Sequence, residues 1–143
     1  MNHQFVGVQC EFTTACLECG DDVSAVGGQA LVSSRLEWSI ETACPACGPI
    51  VSCGRQDIPA GLRERLLADL SHGPATLQIA LGESDSRAVV MKVIRASLGV
   101  DLAAAKAMPA ALQSGRHTGT LPEVEQLASA LRAVGIGAQV SPK

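Results

Sequence analysis

The chain has 143 residues, enough for one ordinary domain or two small ones, and a formal net charge of −3. Hydrophobic residues make up 47% of it but aromatic residues only 2%, so a core must be built from aliphatic side chains. No apolar run reaches the roughly 18 residues of a membrane span, and the first residues lack the pattern of a secretory signal. We therefore expect a cytoplasmic protein in a reducing environment.

The charge is unevenly distributed along the chain. Residues 1–58 carry two arginines and seven acidic residues, a net charge of −5, whereas residues 59–143 have a net charge of +2. Proteins that bind nucleic acid generally contact the phosphates with Lys and Arg. Direct nucleic-acid binding by the acidic segment is therefore not expected, and a nucleic-acid-binding or transcription-associated protein is kept as the alternative function.

Residues 1–58 are predicted to form a small antiparallel β unit. Residues 4–15 alternate between apolar and polar types, and residues 35–42 do so strictly, with Trp38 on the apolar face as the expected main core residue. The pair Gly27-Gly28 predicts a bend or a hairpin tip between these strands.

Two Cys-x-x-Cys pairs lie within this β unit, and each is followed at once by a glycine that can adopt a positive φ in a tight turn. Facing turns of this kind supply four thiolates, the tetrahedral shell that Zn²⁺ favours. Two disulfides, or two loops that happen to contain cysteine, are the alternatives. The segment resembles a four-cysteine zinc ribbon, and the predicted ligands of one structural Zn²⁺ are Cys16, Cys19, Cys44 and Cys47.

Two further cysteines lie symmetrically outside these pairs. Cys10 precedes Cys16 by six residues, and Cys53 follows Cys47 by six. An even offset along a strand would keep each on the face of its nearest ligand, so both are expected to be small buried residues. A redox pair or a second metal site is the alternative, and with it a thiol enzyme.

Residues 59–73 predict a helical connector, because Pro59 suits a first turn and leucines follow at helical spacing. Residues 74–143 then show the order β-α-α-β-α-β, which predicts an α+β domain with helices on one face of a three-stranded sheet. Leu98 and Leu102 are expected to point inward, and Pro109 to kink or shorten its helix. The two halves are expected to fold as separable domains.

The second half resembles the C-terminal domain of the bacterial ribosomal stalk protein, the large-subunit protein seven/twelve. The resemblance covers residues 75–141 and is strongest over residues 90–106, where six residues match the family pattern without a gap. The family's N-terminal dimerisation helices and hinge have no counterpart, which implies a protein other than the stalk itself. The matching residues are Lys92, Arg95, Gly99, Leu102, Ala105 and Lys106.

The resemblance implies a function in protein recognition. In the stalk family, basic residues on the first two helices recruit translational GTPases through complementary charge, and Lys92, Arg95 and Lys106 occupy such positions here. Surface cations without counter-ions suit an acidic protein partner; an ordinary solvated helix face is the alternative. The histidines are scattered and no phosphate-binding loop is present, so no enzyme is expected. The predicted function is a zinc-binding adaptor, associated with translation or the ribosome.

Overall fold

The computed structural model describes residues 5–69, 73–82 and 85–142. It is a mixed α/β structure, and its elements follow in this order: β1 (Phe5–Ala15), β2 (Asp22–Val32), β3 (Arg35–Cys44), β4 (Gly48–Arg55), α1 (Ala60–Ala68), β5 (Ala75–Ala80), α2 (Arg87–Leu98), α3 (Leu102–Gln113), β6 (His117–Gly119), α4 (Leu121–Ala133) and β7 (Gly137–Pro142). None of the described helices has the length and apolar character needed to cross a bilayer.

The first sheet contains β1, β2, β3 and β4 in that order, and each neighbouring pair is antiparallel. Side chains alternate along a strand, so the sheet has two distinct faces. The inner face is largely buried and includes Val8, Cys10, Val23, Ala25, Gln29, Leu31, Leu36 and Cys44. The outer face carries exposed residues, among them Gln9, Glu11, Val26, Glu37, Glu41, Val51 and Cys53.

Gly27 and Gly28 lie in the middle of β2, so the prediction of a bend or hairpin tip there is wrong. The turn to β3 is made by Ser33 and Ser34, whose φ angles of 49° and 70° suit a two-residue hairpin. A Cβ atom at position 27 would collide with Leu62 of α1. Gly27 therefore lets the helix approach the sheet closely. From the sequence alone, a glycine needed for such close approach cannot be distinguished from a glycine in a turn.

Helix α1 covers the inner face of the first sheet. Leu62 and Leu66 are 3% and 2% exposed and pack with Val8 and Cys10. Trp38 is only partly buried at the margin of this cluster, so the two leucines, and not Trp38, form its centre. The helix of the predicted connector is thus part of the first core. Residues 70–72 of that connector lie outside the described residues.

The second half has the predicted element order β5-α2-α3-β6-α4-β7. Its sheet has the order β6-β5-β7, with antiparallel pairs. One face of β5 is buried with the three helices in a shared core, through the alternate residues Ala75, Leu77 and Ile79. This core is almost wholly aliphatic, as the composition requires.

The ends of the helices follow from local sequence signals. Gly99 ends α2 in the left-handed conformation, with φ of 65°. The Asp101 carboxylate then caps α3 by accepting a hydrogen bond of 2.8 Å from the amide of Ala104. Helix α3 continues through Pro109 to Gln113, so the expected early end is wrong. The buried Pro109 ring contributes apolar surface where a backbone N–H group would otherwise stand.

The two halves meet at the start of α4, which contacts β1, β2 and β3. Thr120 and Gln29 are 1% and 2% exposed, and the Thr120 hydroxyl donates a hydrogen bond to the Gln29 side chain. Leu121 packs against the cluster beneath α1. Arg63 of α1 donates three hydrogen bonds to the two carboxylate oxygens of Glu123, with nitrogen–oxygen distances of 2.9–3.2 Å. We call this contact, formed by these five residues, the junction.

The junction explains the electrostatics of Glu123. Its burial would raise the pKa of the carboxyl, but the hydrogen bonds from Arg63 and from the Thr120 amide outweigh this, and the pKa is lowered. The carboxylate also completes a capping box at the start of α4. The separate folding of the two halves stays a prediction, and the junction is the contact that each half would lose on its own.

The junction predicts a pH-dependent stability. A carboxyl whose pKa is lower in the folded state contributes stability above its unfolded pKa of about 4.3 and loses it as the pH falls through its folded pKa. Glu123→Gln should therefore lower the free energy of unfolding at neutral pH by about 1 kcal/mol, since the pair is partly exposed. This difference from the wild type should shrink as the pH falls through the folded-state pKa of Glu123 and vanish below it.

Urea titrations across this pH range measure the effect. The matched control is Glu125→Gln on the same helix, which removes a carboxylate that lies 3.4 Å from Arg132 in an exposed pair. A Glu123→Gln penalty that stays constant with pH would contradict the prediction.

Candidate metal centre

The two Cys-x-x-Cys pairs form turns at the same end of the first sheet. Cys16 follows β1 directly, and Cys44 is the last residue of β3. In the first turn, the Cys16 amide donates to the Asp21 carbonyl at 2.7 Å, which closes the loop. Gly20 and Gly48 follow the pairs with φ angles of 79° and 85°, so the predicted role of both glycines is confirmed.

Each described sulfur of these turns lies within 4.8 Å of the other three, so the four predicted ligands are brought together, and they could hold a metal ion. The Cys19 and Cys44 sulfurs are 3.7 Å apart. A tetrahedral site with metal–sulfur bonds of about 2.3 Å has sulfur–sulfur edges of about 3.8 Å. The cluster therefore fits a four-coordinate ion with little rearrangement.

Backbone N–H groups already stabilise negative charge in the cluster. The amides of Cys19 and Glu18 hydrogen-bond to the Cys16 sulfur and lower the pKa of that thiol to about 7. The Cys47 amide likewise donates to the Cys44 sulfur at 3.4 Å. Cys16 and Cys44 are 3% and 5% exposed, so this half of the cluster is shielded from water.

The Cys47 thiol ionises less readily than a free thiol. A hydrogen bond with the Cys19 side chain is the main cause that raises the pKa of the Cys47 thiol to about 12. A bound cation would remove this penalty, because it favours the thiolate form of every ligand. Metal binding should therefore release protons and weaken as the pH falls.

Cys10 and Cys53 do not meet. Cys10 lies on the inner face of β1 and is 7% exposed, whereas Cys53 lies on the outer face of β4 and is exposed. These strands are the two edges of the sheet, three spacings or about 14 Å apart. The prediction that both cysteines are buried is confirmed for Cys10 and wrong for Cys53. Cys47 lies in the turn before β4, so counting from Cys47 does not predict which face of β4 a side chain occupies. A thiol pair is therefore excluded.

The predicted partner-binding residues lie on α2 and α3. Lys92 and Arg95 line a surface groove of about 630 Å³, which we call the helical groove. Lys106 is exposed on α3 but does not line the groove. None of the described residues that line it is acidic; the others are Ala88, Met91, Ala96, Gly99, Val100 and Leu102.

The apolar part of the helical groove was missed by the sequence pattern. Leu102, which lines the groove, and Leu98, which does not, were expected to point inward, but they are 47% and 39% exposed. Helices α2 and α3 meet at a sharp turn after Gly99, so the apolar residues at this corner lie at the edge of the core. The apolar residues of α2 and the start of α3 cover more of the helix surface than neighbouring elements can bury, and this excess is the signal that could have indicated such a surface.

The cluster predicts that metal stabilises the first sheet. Cys44→Ser should lose the metal and unfold most of residues 5–55, because the metal-binding end of the sheet has only a small apolar cluster. Elemental analysis and thermal unfolding, with and without a chelator, measure the effect.

Cys53→Ser is the control for the metal prediction, because Cys53 is exposed and outside the cluster. This variant should retain one metal ion per chain. Purified, folded wild-type protein that lacks metal and melts unchanged with chelator would contradict the prediction.

Comparison with known proteins gives no further assignment. No family model, functionally characterised protein or solved structure matches the chain. The resemblance of the second half to the stalk domain therefore stays a prediction, which depends on the residues quoted for it.

Proposed function

We propose that this protein is a non-enzymatic, zinc-stabilised adaptor that docks an acidic protein partner in the helical groove. The first half is then a structural zinc module, and the second half presents the recognition surface. The observation that carries this proposal is the combination, in one groove, of two exposed cations and an apolar floor.

Zinc is the metal that this ligand set favours. Four thiolates in a tetrahedral arrangement are typical of structural Zn²⁺ sites, whereas hard cations require oxygen ligands. Such a shell leaves no coordination position for water or substrate, which supports a stabilising and not a catalytic role. The backbone donors to Cys16 and Cys44 are the outer contacts expected for such thiolates.

The helical groove has the properties of a protein-recognition surface. Lys92 and Arg95 are three residues apart and therefore neighbours on one side of α2. Neither forms an ion pair with any residue that the structure describes. Met91, Val100 and Leu102 supply apolar area between them. A partner helix with acidic and apolar side chains would neutralise the cations and cover the apolar floor.

The resemblance to the stalk domain supplies the partner class. In that family the corresponding basic residues recruit translational GTPases, and this class is the partner that we propose. Lys106 would contribute to long-range attraction from the exposed side of α3. Function near the ribosome in the cytoplasm follows from this partner.

A direct binding experiment tests the proposal. Purified bacterial translational GTPases are titrated with the wild type and with the double variant Lys92→Glu, Arg95→Glu. We expect binding to weaken by at least about tenfold, mainly through a slower association rate, and wild-type binding to weaken with rising salt. The zinc content and melting temperature should not change, because both residues are exposed.

The matched control is Arg65→Glu, Arg116→Glu, which makes the same change in net charge at two exposed positions outside the groove and away from the outer face of the first sheet. It should bind like the wild type. If no GTPase binds, or if both double variants lose binding equally, the helical groove is not the recognition site.

A further inference from the structure

The outer face of the first sheet contains a concave trough of about 730 Å³ that crosses all four strands. Its lining includes the small residues Gly7, Gly28, Ala30, Ser39 and Cys53, together with the longer side chains of Gln9, Glu37 and Arg55. Small side chains leave a strand open to close approach by another element. The trough spans about 14 Å between its edge strands, wide enough for a helix of about 10 Å diameter.

An acidic and apolar row borders the trough. Glu11, Val26, Glu41 and Val51 lie side by side on the four strands, in register across the sheet. The two valines are 39% and 61% exposed. Within the part of the chain that the structure describes, neither glutamate forms an ion pair. Two strand spacings separate them by about 10 Å, so a cationic helix lying in the trough would meet both.

Helix α2 has the complementary surface. Its exposed stripe consists of the small residues Ala88 and Ala96 and the cations Lys92 and Arg95, at helical spacing. The small residues allow a close approach to the glycine-rich floor, and the cations match the glutamates. The arginines of the outer face, Arg35 and Arg55, lie towards the end of the sheet away from the metal centre. They therefore favour one orientation of the docked helix.

We propose that the outer face of one copy of this chain binds helix α2 of a second copy. The occupant is assigned to the same chain because charge and size are matched between these two surfaces. The contact uses a different surface on each partner, so it is heterologous and leaves a free trough and a free groove at the two ends. Self-association then covers Lys92 and Arg95, and the acidic partner competes with the sheet of the neighbouring copy.

The test uses two full-length variants with complementary defects. The sheet variant, Glu11→Lys with Glu41→Lys, retains a functional groove; the groove variant, Lys92→Glu with Arg95→Glu, retains a functional outer face. Sedimentation equilibrium should show that the average mass of the wild type rises with concentration and falls with added salt. Each variant alone should associate at least about tenfold more weakly. Their mixture should form a complex of one copy of each and nothing larger.

The complex of one copy of each variant is the decisive result, because mixing the two variants would not restore a symmetric dimer. A wild type that stays monomeric at low salt, or a mixture that stays monomeric, would overturn the proposal. So would a symmetric dimer that survives both pairs of substitutions. Zinc content and unfolding curves must match the wild type in both variants; if the sheet variant is unfolded, Glu11→Gln with Glu41→Gln replaces it.

This inference shares the helical groove with the proposed function, and the two are separable. The sheet variant should lose self-association but bind the GTPase at least as tightly as the wild type. Absence of GTPase binding with normal self-association rejects the proposed function alone. A monomeric protein that binds the GTPase rejects self-association alone.

Discussion

The arrangement of the two halves depends on the junction, and above all on its buried hydrogen bond between Thr120 and Gln29. Gln29 and Thr120 are almost completely removed from water, and each would be left with an unsatisfied polar group if the halves separated without rehydration. Thr120 also caps α4, so the same hydroxyl serves the junction and the helix start. The position of α4 is thereby fixed relative to the first sheet, and α4 in turn packs against α2. The helical groove and the cysteine cluster are held in one framework as a result.

The metal centre and the junction restrain different parts of the first sheet. The cysteine turns join β1 to β2 and β3 to β4 at one end, while Gln29 lies towards the other. Between them, Leu62 and Leu66 supply apolar cover on the inner face. The outer face has no such cover among the described elements. A sheet that is covered on one face and carries small and acidic residues on the other is suited to association with a basic surface.

Much of the fold could be predicted because local signals decided it. The cysteine spacing, the glycine after each pair and the Asp101 cap each specify a backbone conformation directly. The predictions failed where the structure depends on residues that are distant in the sequence. Position 27 must be glycine because Leu62 packs against it, and Cys53 faces outward because of the register between β3 and β4. The junction could not be predicted at all, since nothing in the neighbourhood of Gln29 indicates that residue 120 lies beside it. The helical groove was half predicted, through its cations but not its apolar floor.

The alternation of β2 has a consequence for how the chain reaches its native pairing. Its inner residues include Val23 and Leu31, and its outer residues include Val26 and Val32, so hydrophobic side chains lie on both faces. A slip of one position would exchange these faces, and the two central glycines of β2 weaken the specification of register by side chains. Four sulfurs can converge on one ion in only one of the two alignments. A metal ion bound by the four cysteines would thus favour the native strand alignment in newly made chains.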